Sequence, residues 1–341
     1  MCKKVVKLMG VLGVLGCLLT GCGSQSSDSD AVLTSEETTV QTEETTQESE
    51  TQTEPEADVE TIRVASLKGP TSIGMVKMMK DNDGSYDFGI YTAADEIVPL
   101  VVKGDVDIAS IPANLAAVLY QKTEGQVQVL DINTLGVLYV VSFDENLQSI
   151  ADLKDKTVYM TGKGTTPEYA LNYVLSQNDM SQDDLTIDFK SEATEVISAL
   201  KNDTGAVAVL PQPYVTVAKT QLEGLVTNIS LAEEWPDMVT GVTIVNKQFA
   251  EEHPDAVEKF LEEQLASVDY VNANVEEMAQ AVEEFDIVKA AVAQQAIPEC
   301  NLVCIQGESM KEQLQNYLTV LYEQDASSVG GQLPTDDFYY E

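Results

Sequence analysis

From Thr61 onward the chain alternates short β-branched runs with helical patterns, and it does so in two successive series. In the first series TIRVASL reads as a strand, TSIGMVKMMK as a helix, DVDIASI as a strand and ANLAAVLYQ as a helix; VQVLDIN and GVLYVVSF follow as strands. The second begins with SIADLK (helix), TVYMTG (strand), TPEYALNYVLSQ (helix) and LTIDFK (strand). SEATEVISALKN (helix), AVAVL (strand), QPYVTVAKT (helix) and LVTNI (strand) complete it. Such alternation predicts an α/β fold with mostly parallel strands. After GVTIVNK the pattern turns helical, through HPDAVEKFLEEQLASVDYVNAN, EEMAQAVEEF, IVKAAVAQQA and SMKEQLQNYLTVLYEQ. Pro254 at an early helix position and the spacing Val257, Phe260, Leu261, Leu265, Val268 fit one long amphipathic helix.

The two series echo each other at their turns. LKGPT (67–71) separates strand from helix in the first, and IPANLAAVL (111–119) carries the next such turn. GKGTT (162–166) and LPQPYVTVA (210–218) occupy the same places in the second. All four lie at carboxyl ends of strands and amino ends of helices, the edge at which open α/β sheets bind ligands. Two such edges facing one another make a cleft between two lobes.

The start of the chain speaks for export. MCKKVVKLMGVLGVLGCLLTGC has a basic beginning and a short apolar run, too short for a lasting membrane span. Leu19-Thr20-Gly21-Cys22 matches a bacterial lipoprotein processing site, so residues 1–21 read as a signal peptide and Cys22 as the lipidated residue. Residues 23–60 are rich in Ser, Thr, Gln and Glu, hold no Lys or Arg, and read as a disordered acidic linker on a membrane-anchored, extracytoplasmic protein. The export segment contains three of the 19 basic residues and none of the 57 acids. The strongly acidic mature chain excludes nucleic acid as a partner and disfavours adhesion to anionic lipid. Cys300 and Cys304 remain. An even pair outside the cell is a possible disulfide, which a turn would allow and an extended segment would forbid.

At the cleft turns the candidate ligand-binding residues are Lys68, Gly69, Pro70 and Thr71, then Pro112, Ala113 and Asn114, then Gly136, then Lys163, Gly164, Thr165 and Thr166, then Pro211 and Gln212, and Trp235. GKGTT is not a nucleotide-hydrolysing loop, because Lys163 precedes Gly164 where a Walker motif needs Gly-Lys-Ser/Thr. What remains is a glycine turn at a helix amino terminus, whose free N–H groups and dipole favour anionic or electronegative ligand groups. Thr165 and Thr166 equally serve as helix caps, with Pro167 at the first turn. Lys68 and Lys163 either neutralise an acidic ligand from opposite lobes or are solvated. Asn114 and Gln212 offer amide groups for orienting a solute. Trp235, Tyr139, Tyr169 and Tyr214 either stack on a flat ligand or pack. Asp95 and Glu96 follow Thr92 at a helix start, where carboxylates stabilise the helix dipole.

Residues 61–341 resemble the substrate-binding proteins of ABC transporters of the nitrate/sulfonate/taurine and thiamine-pyrimidine-precursor type. The segments that carry the resemblance are KGDVDIASIPANLA (103–116), ADLKDKTVYMTGKGTTPEYALNYVL (151–175), AVLPQPYVT (208–216) and VNKQFAEEHPDAVEKFLEE (245–263). The resemblance implies a two-lobed, periplasmic-binding-protein-like (type II) α/β fold with two crossing hinge strands and a helical C-terminal part. It places lobe one at 61–135 plus 246–341, lobe two at 142–239, and the crossings at about 135–141 and 240–245. It also implies a monomer that closes on a small organic or oxyanion solute and delivers it to a permease powered by a separate ATPase subunit, with no cofactor and no metal. A ligand sensor acting through a membrane signalling partner, and a cell-surface enzyme on the same fold, are the alternatives. His253, the only histidine, precedes Pro254 at a helix start, so a Ser/His/Asp triad or a histidine-rich metal site has no material here. The pyrimidine-forming enzymes related to this group depend on histidine and a cysteine cluster, neither of which stands at a suitable place.

Overall fold

A computed structural model of the protein describes residues 61–340. The segments expected to be a signal peptide, the lipidated Cys22 and the acidic linker lie outside the described residues. Strands β1 (Ile62–Leu67), β2 (Tyr86–Tyr91), β3 (Ile108–Pro112), β4 (Val127–Leu135), β5 (Leu138–Ser142) and β6 (Thr157–Met160) come first. β7 (Thr186–Phe189), β8 (Val207–Pro211), β9 (Val226–Ser230), β10 (Val239–Asn246) and β11 (Leu302–Ile305) follow. They form two sheets, ordered β11-β4-β10-β3-β1-β2 and β7-β6-β8-β5-β9.

The two sheets repeat one plan. β1 runs parallel to β2 and β3, as β6 does to β7 and β8. Into each sheet one antiparallel strand is inserted: β10 between β3 and β4, and β5 between β8 and β9. The inserted strand comes each time from the sequence adjoining the other sheet. Hence the echo of turns reflects equivalent places: LKGPT and GKGTT follow β1 and β6, while Pro112 and Pro211 end β3 and β8. Apolar side chains of both sheets, among them Ile111, Ile132, Val158, Met160 and Val209, join the helix Gly307–Gln324 in one continuous core.

Most of the expected elements form, with informative differences. The helix expected over TSIGMVKMMK is broken into Pro70–Ile73 and Val76–Lys80. Gly74 lies so close to the long helix Pro254–Ala273 that a Cβ there would stand 3.2 Å from Val268. Ser267 repairs the break: its hydroxyl donates to the Gly74 carbonyl (2.7 Å) and accepts the Met78 N–H (3.3 Å). SIADLK forms only a single 3₁₀ turn, Ile150–Leu153. β2 and β11, both at sheet edges, add to the strands read from sequence.

The passages between the sheets are not strands. β4 ends at Leu135 and β5 starts at Leu138, so Gly136 and Val137 alone connect the sheets on the first passage. The segment 240–245 is an interior strand of the first sheet, hydrogen-bonded on both sides, and the second passage is the segment 231–238 with its short helix Leu231–Glu234. Gly136 is required by packing, since a Cβ there would collide with Met238 and lie 2.7 Å from the Ala232 Cβ. The C-terminal part also touches second-sheet elements: Tyr139 donates to the Glu299 carbonyl (2.8 Å), and Tyr169 to Asp325 (3.2 Å).

Cys300 and Cys304 are both free thiols. Cys300 ends the 3₁₀ turn Ile297–Glu299, and Cys304 lies in extended β11. Cys300 is buried, and Cys304 accepts a hydrogen bond from Gln306 (3.2 Å). Burial pushes both thiols up to about 12.

Candidate functional site

A cavity of about 480 Å³ opens where the carboxyl ends of strands from the two sheets meet. From the first sheet come Pro112 at the end of β3, Asn114 and Leu115 in the first turn of the following helix, and Thr240 at the start of β10. Ala94, Asp95 and Val98 come from the first turns of the helix Ala94–Lys103. From the second come Leu138 of β5, Pro211 of β8, and Thr165, Thr166 and Pro167 at the start of the helix Thr166–Gln177; Val137 of the first passage lies between. The two sides touch directly: the Thr166 hydroxyl donates to the Asn114 side-chain carbonyl at 3.1 Å.

The chain builds this wall from residues that end strands and start helices. Proline closes β3 and β8, since it has no N–H to continue a ladder. Pro167 sits in the first turn of its helix, where a missing N–H is harmless. Gly164 takes φ +71°, a left-handed conformation that suits glycine. Gly241, next to Thr240, has no room for a side chain: a Cβ would stand 2.5 Å from the Asn133 amide oxygen and 2.7 Å from the Thr71 methyl.

Of the residues singled out in the sequence, Pro112, Asn114, Thr165, Thr166 and Pro211 line the cavity. The others lie elsewhere. Lys68 pairs with Asp286 at 3.1 Å, and the Lys163 ammonium stands 5.8 Å above the Phe189 ring. Gly69 and Pro70 shape the turn after β1, and the Thr71 hydroxyl turns inward to donate to the Leu67 carbonyl (3.0 Å). Ala113 is wholly buried. The Gln212 carbonyl accepts from the Thr216 hydroxyl at 3.0 Å, so that amide caps its own helix start. Gly136 is a packing residue of the first passage. Trp235 is 3% exposed and lies between Tyr173 and Tyr317, with ring centroids 4.3 and 5.2 Å away. Tyr139 and Tyr169 are buried with their hydroxyls engaged, and Tyr214 is exposed. Packing therefore accounts for Trp235, Tyr139 and Tyr169.

Sequence reasoning passed over Ala94, Val98, Leu115, Val137, Leu138 and Thr240, which are ordinary apolar or hydroxyl residues with no motif of their own. It read Asp95 and Glu96 alike as dipole partners, and the structure separates them. Glu96 accepts the Thr92 and Ala93 N–H groups at 3.0 and 2.9 Å, whereas Asp95 lines the cavity. Among the described residues no group of three or more His, Cys, Asp or Glu side chains is placed to hold a metal ion. No described helix is long and apolar enough to cross a membrane.

The fold is that of periplasmic binding proteins. It is similar to a protein described as an ABC transporter from Parabacteroides distasonis, with a TM-score of 0.72 and 21% identity, covering 82% of this chain and 98% of that one. The periplasmic aliphatic sulphonate binding protein SsuA of Escherichia coli is similar at a TM-score of 0.69 and 14% identity, over 82% of this chain and 92% of its own. The desulfurization enzyme DSZB shares the fold at a TM-score of 0.60 and 10% identity, over 82% and 96%. In sequence, a Brucella abortus protein named "Putative binding protein" is 24% identical over 217 residues, 63% of this chain. The match spans 66% of that relative, just under two thirds of its length. Residues 87–278, more than half of the chain, match the NMT1/THI5-like family, and the chain belongs to that family.

Proposed function

We propose that the protein is an extracytoplasmic solute-binding receptor of an ABC importer. It holds a small organic solute between two lobes and delivers it to a permease served by a separate ATPase, with the lipid on Cys22 as its anchor. The observation that carries this reading is the cavity of about 480 Å³, walled by strand ends and helix starts of both sheets. A volume of this size is ordinary for a small-molecule pocket. The lobes are built on the two sheets and turn on the two passages, 136–137 and 231–238. Closure brings Thr166 to Asn114, so a ligand that also touches both walls stabilises the closed state by its extra contacts.

The binding role is favoured over catalysis by the character of the walls: Asp95 is the one titratable side chain among the lining residues, with no histidine, cysteine, lysine or second carboxylate among them. The test is mass spectrometry of solute carried through purification by the full chain, followed by small-angle scattering with and without that solute. Recovery of the solute unchanged and a compaction on its addition are expected. Conversion of the solute into a product would overturn the receptor reading in favour of an enzyme. A radius of gyration indifferent to saturating solute would overturn closure.

A further inference from the structure

One face of the helix Thr166–Gln177 ties the two sides of the cleft together, and the inference it carries rests on the lobe closure proposed above. Thr166, Tyr169 and Tyr173 recur at spacings of three and four, so they lie along one stripe of that helix. All three meet groups from outside the second sheet. The Thr166 hydroxyl donates to Asn114, the Tyr169 hydroxyl donates to Asp325, and the Tyr173 ring packs on Trp235. Their counterparts are joined to one another. Asp325 ends the helix Gly307–Gln324, which packs against β4, β10 and the helix Ala113–Lys122. Asn114 donates to the Ser328 carbonyl (3.4 Å), just beyond Asp325, and Tyr317 of the helix Gly307–Gln324 stacks on the other side of Trp235.

The stripe has two unlike ends. At Tyr173 the contact is a buried ring stack, and Trp235 belongs to the second passage between the sheets, where closure moves the chain least. At Tyr169 the contact is polar, nearer the cavity, and made to a carboxylate that is already fixed. Asp325 Oδ1 accepts the Ser327 N–H (2.9 Å) and hydroxyl (2.8 Å), which leaves Oδ2 for Tyr169 at 3.2 Å. These bonds hold the Asp325 carboxyl below its usual range. Gln324 adds a second bond across the seam, its amide donating to the Tyr169 carbonyl at 3.2 Å. Neither Tyr169 nor Asp325 is among the residues that line the cavity.

We propose that Tyr169, Gln324 and Asp325 form a clasp that favours the closed cleft before any solute binds, with the Tyr173–Trp235–Tyr317 stack as its pivot. Tyr169 and Asp325 are positioning residues, which act by setting where Thr166 and Asn114 stand. A contact made only in the closed state raises the closed fraction of the solute-free chain, and with it the apparent affinity. Opening breaks a hydrogen bond to a charged acceptor, which is stronger than a neutral one.

The test is small-angle scattering of the full chain after exhaustive dialysis, with Trp235, the only tryptophan, as a fluorescent reporter of the pivot. Tyr169→Phe keeps the ring and removes the hydroxyl. The closed-to-open ratio should then fall about tenfold, read as a larger radius of gyration. Trp235 emission should stay as in the wild type, because the stack is untouched. Asp325→Asn keeps Oδ1 for Ser327 and offers an N–H to the Tyr169 hydroxyl, a neutral bond in place of a charged one. It should therefore open the chain less than Tyr169→Phe does. An unchanged radius in Tyr169→Phe, a greater opening in Asp325→Asn, or a red-shifted Trp235 emission would each overturn the clasp and leave the receptor reading standing. Failure of the receptor reading shows elsewhere, as conversion of the co-purified solute, and leaves these solute-free radii as they are.

Discussion

Replacing Asp131 with asparagine should make the protein more stable at neutral pH, and increasingly so as pH rises. Asp131 lies in the middle of β4 and is completely buried. Its Oδ1 accepts from the Thr243 hydroxyl (3.2 Å) and the Gln264 amide (3.3 Å), while its Oδ2 and the Gln264 carbonyl oxygen both lack a partner. Two orphaned acceptors in one network call for a proton. Burial raises the Asp131 carboxyl from its ordinary value to about 8. The folded-state pKa thus lies above the unfolded one. Between roughly pH 4 and pH 8 the folded chain binds a proton that the unfolded chain has released, and this group's contribution to stability falls as pH rises through that window. At about 1.4 kcal/mol per pH interval, its upper bound is about 1.5 kcal/mol at pH 5 and about 4 kcal/mol at pH 7. Asparagine keeps the shape, carries no charge, and offers an N–H to the orphaned oxygen. Carboxylates held low by hydrogen bonds act in the other sense, losing stability as pH falls. Asp144 is held so by the Asn146 N–H and Asp184 by the Lys154 ammonium, and comparing variant with wild type cancels both. Urea unfolding of both proteins at pH 5, 6, 7 and 8 is the assay. A difference that does not widen with pH, or an Asp131→Asn protein less stable at pH 8, would refute the reasoning.

Three further outcomes follow from the packing and the site. Trp235→Ala removes the middle ring of the Tyr173–Trp235–Tyr317 stack and should cost about 3–5 kcal/mol by urea unfolding; a loss below 1 kcal/mol would mean the stack is incidental. Lys68→Ala and Lys163→Ala should leave the affinity for the co-purified solute within about twofold of wild type by calorimetry, a change of under 0.5 kcal/mol. A tenfold loss in either would place an ammonium at the ligand. Cys300 and Cys304, both with thiols pushed up to about 12, should resist a thiol reagent at pH 8 in the folded protein and react as two thiols once denatured. Detection of no free thiol after denaturation would instead indicate the disulfide.

The turns of the site were legible in sequence because each has its own chemistry: proline ends a strand, and glycine and threonine start a helix. The interior strands β3, β6 and β8 showed themselves as β-branched runs. β2 did not, because YDFGIY lies at a sheet edge with only Tyr86 fully buried, which blurs the alternation. β11 likewise touches β4 at only two paired positions with an irregularity between them. The lysines were found where expected in the chain, but their partners were not legible. Asp286 is 218 residues from Lys68, and no local pattern announces such a pairing. Glu168, by contrast, stands four residues from Gly164, and its return to the helix start follows the usual carboxylate cap of a first turn. The cavity's apolar wall had no signature at all, since Val98, Leu115 and Leu138 look like core residues until the two sheets are brought together.

The insertion of β10 between β3 and β4 sets a timetable for the growing chain. About a hundred residues separate the end of β4 from the start of β10. For a chain that emerges N-terminus first at about 5–20 residues per second and folds as it does so, that interval lasts roughly 5 to 20 s. Throughout it β3 and β4 have been made but lack the strand that joins them, so each presents an unpaired edge. The first half of the sequence is thus the last to be completed, and a chain interrupted after β9 would hold a finished second sheet beside an open first one. A holding chaperone has its clearest target in that window, on the edges that β10 later covers.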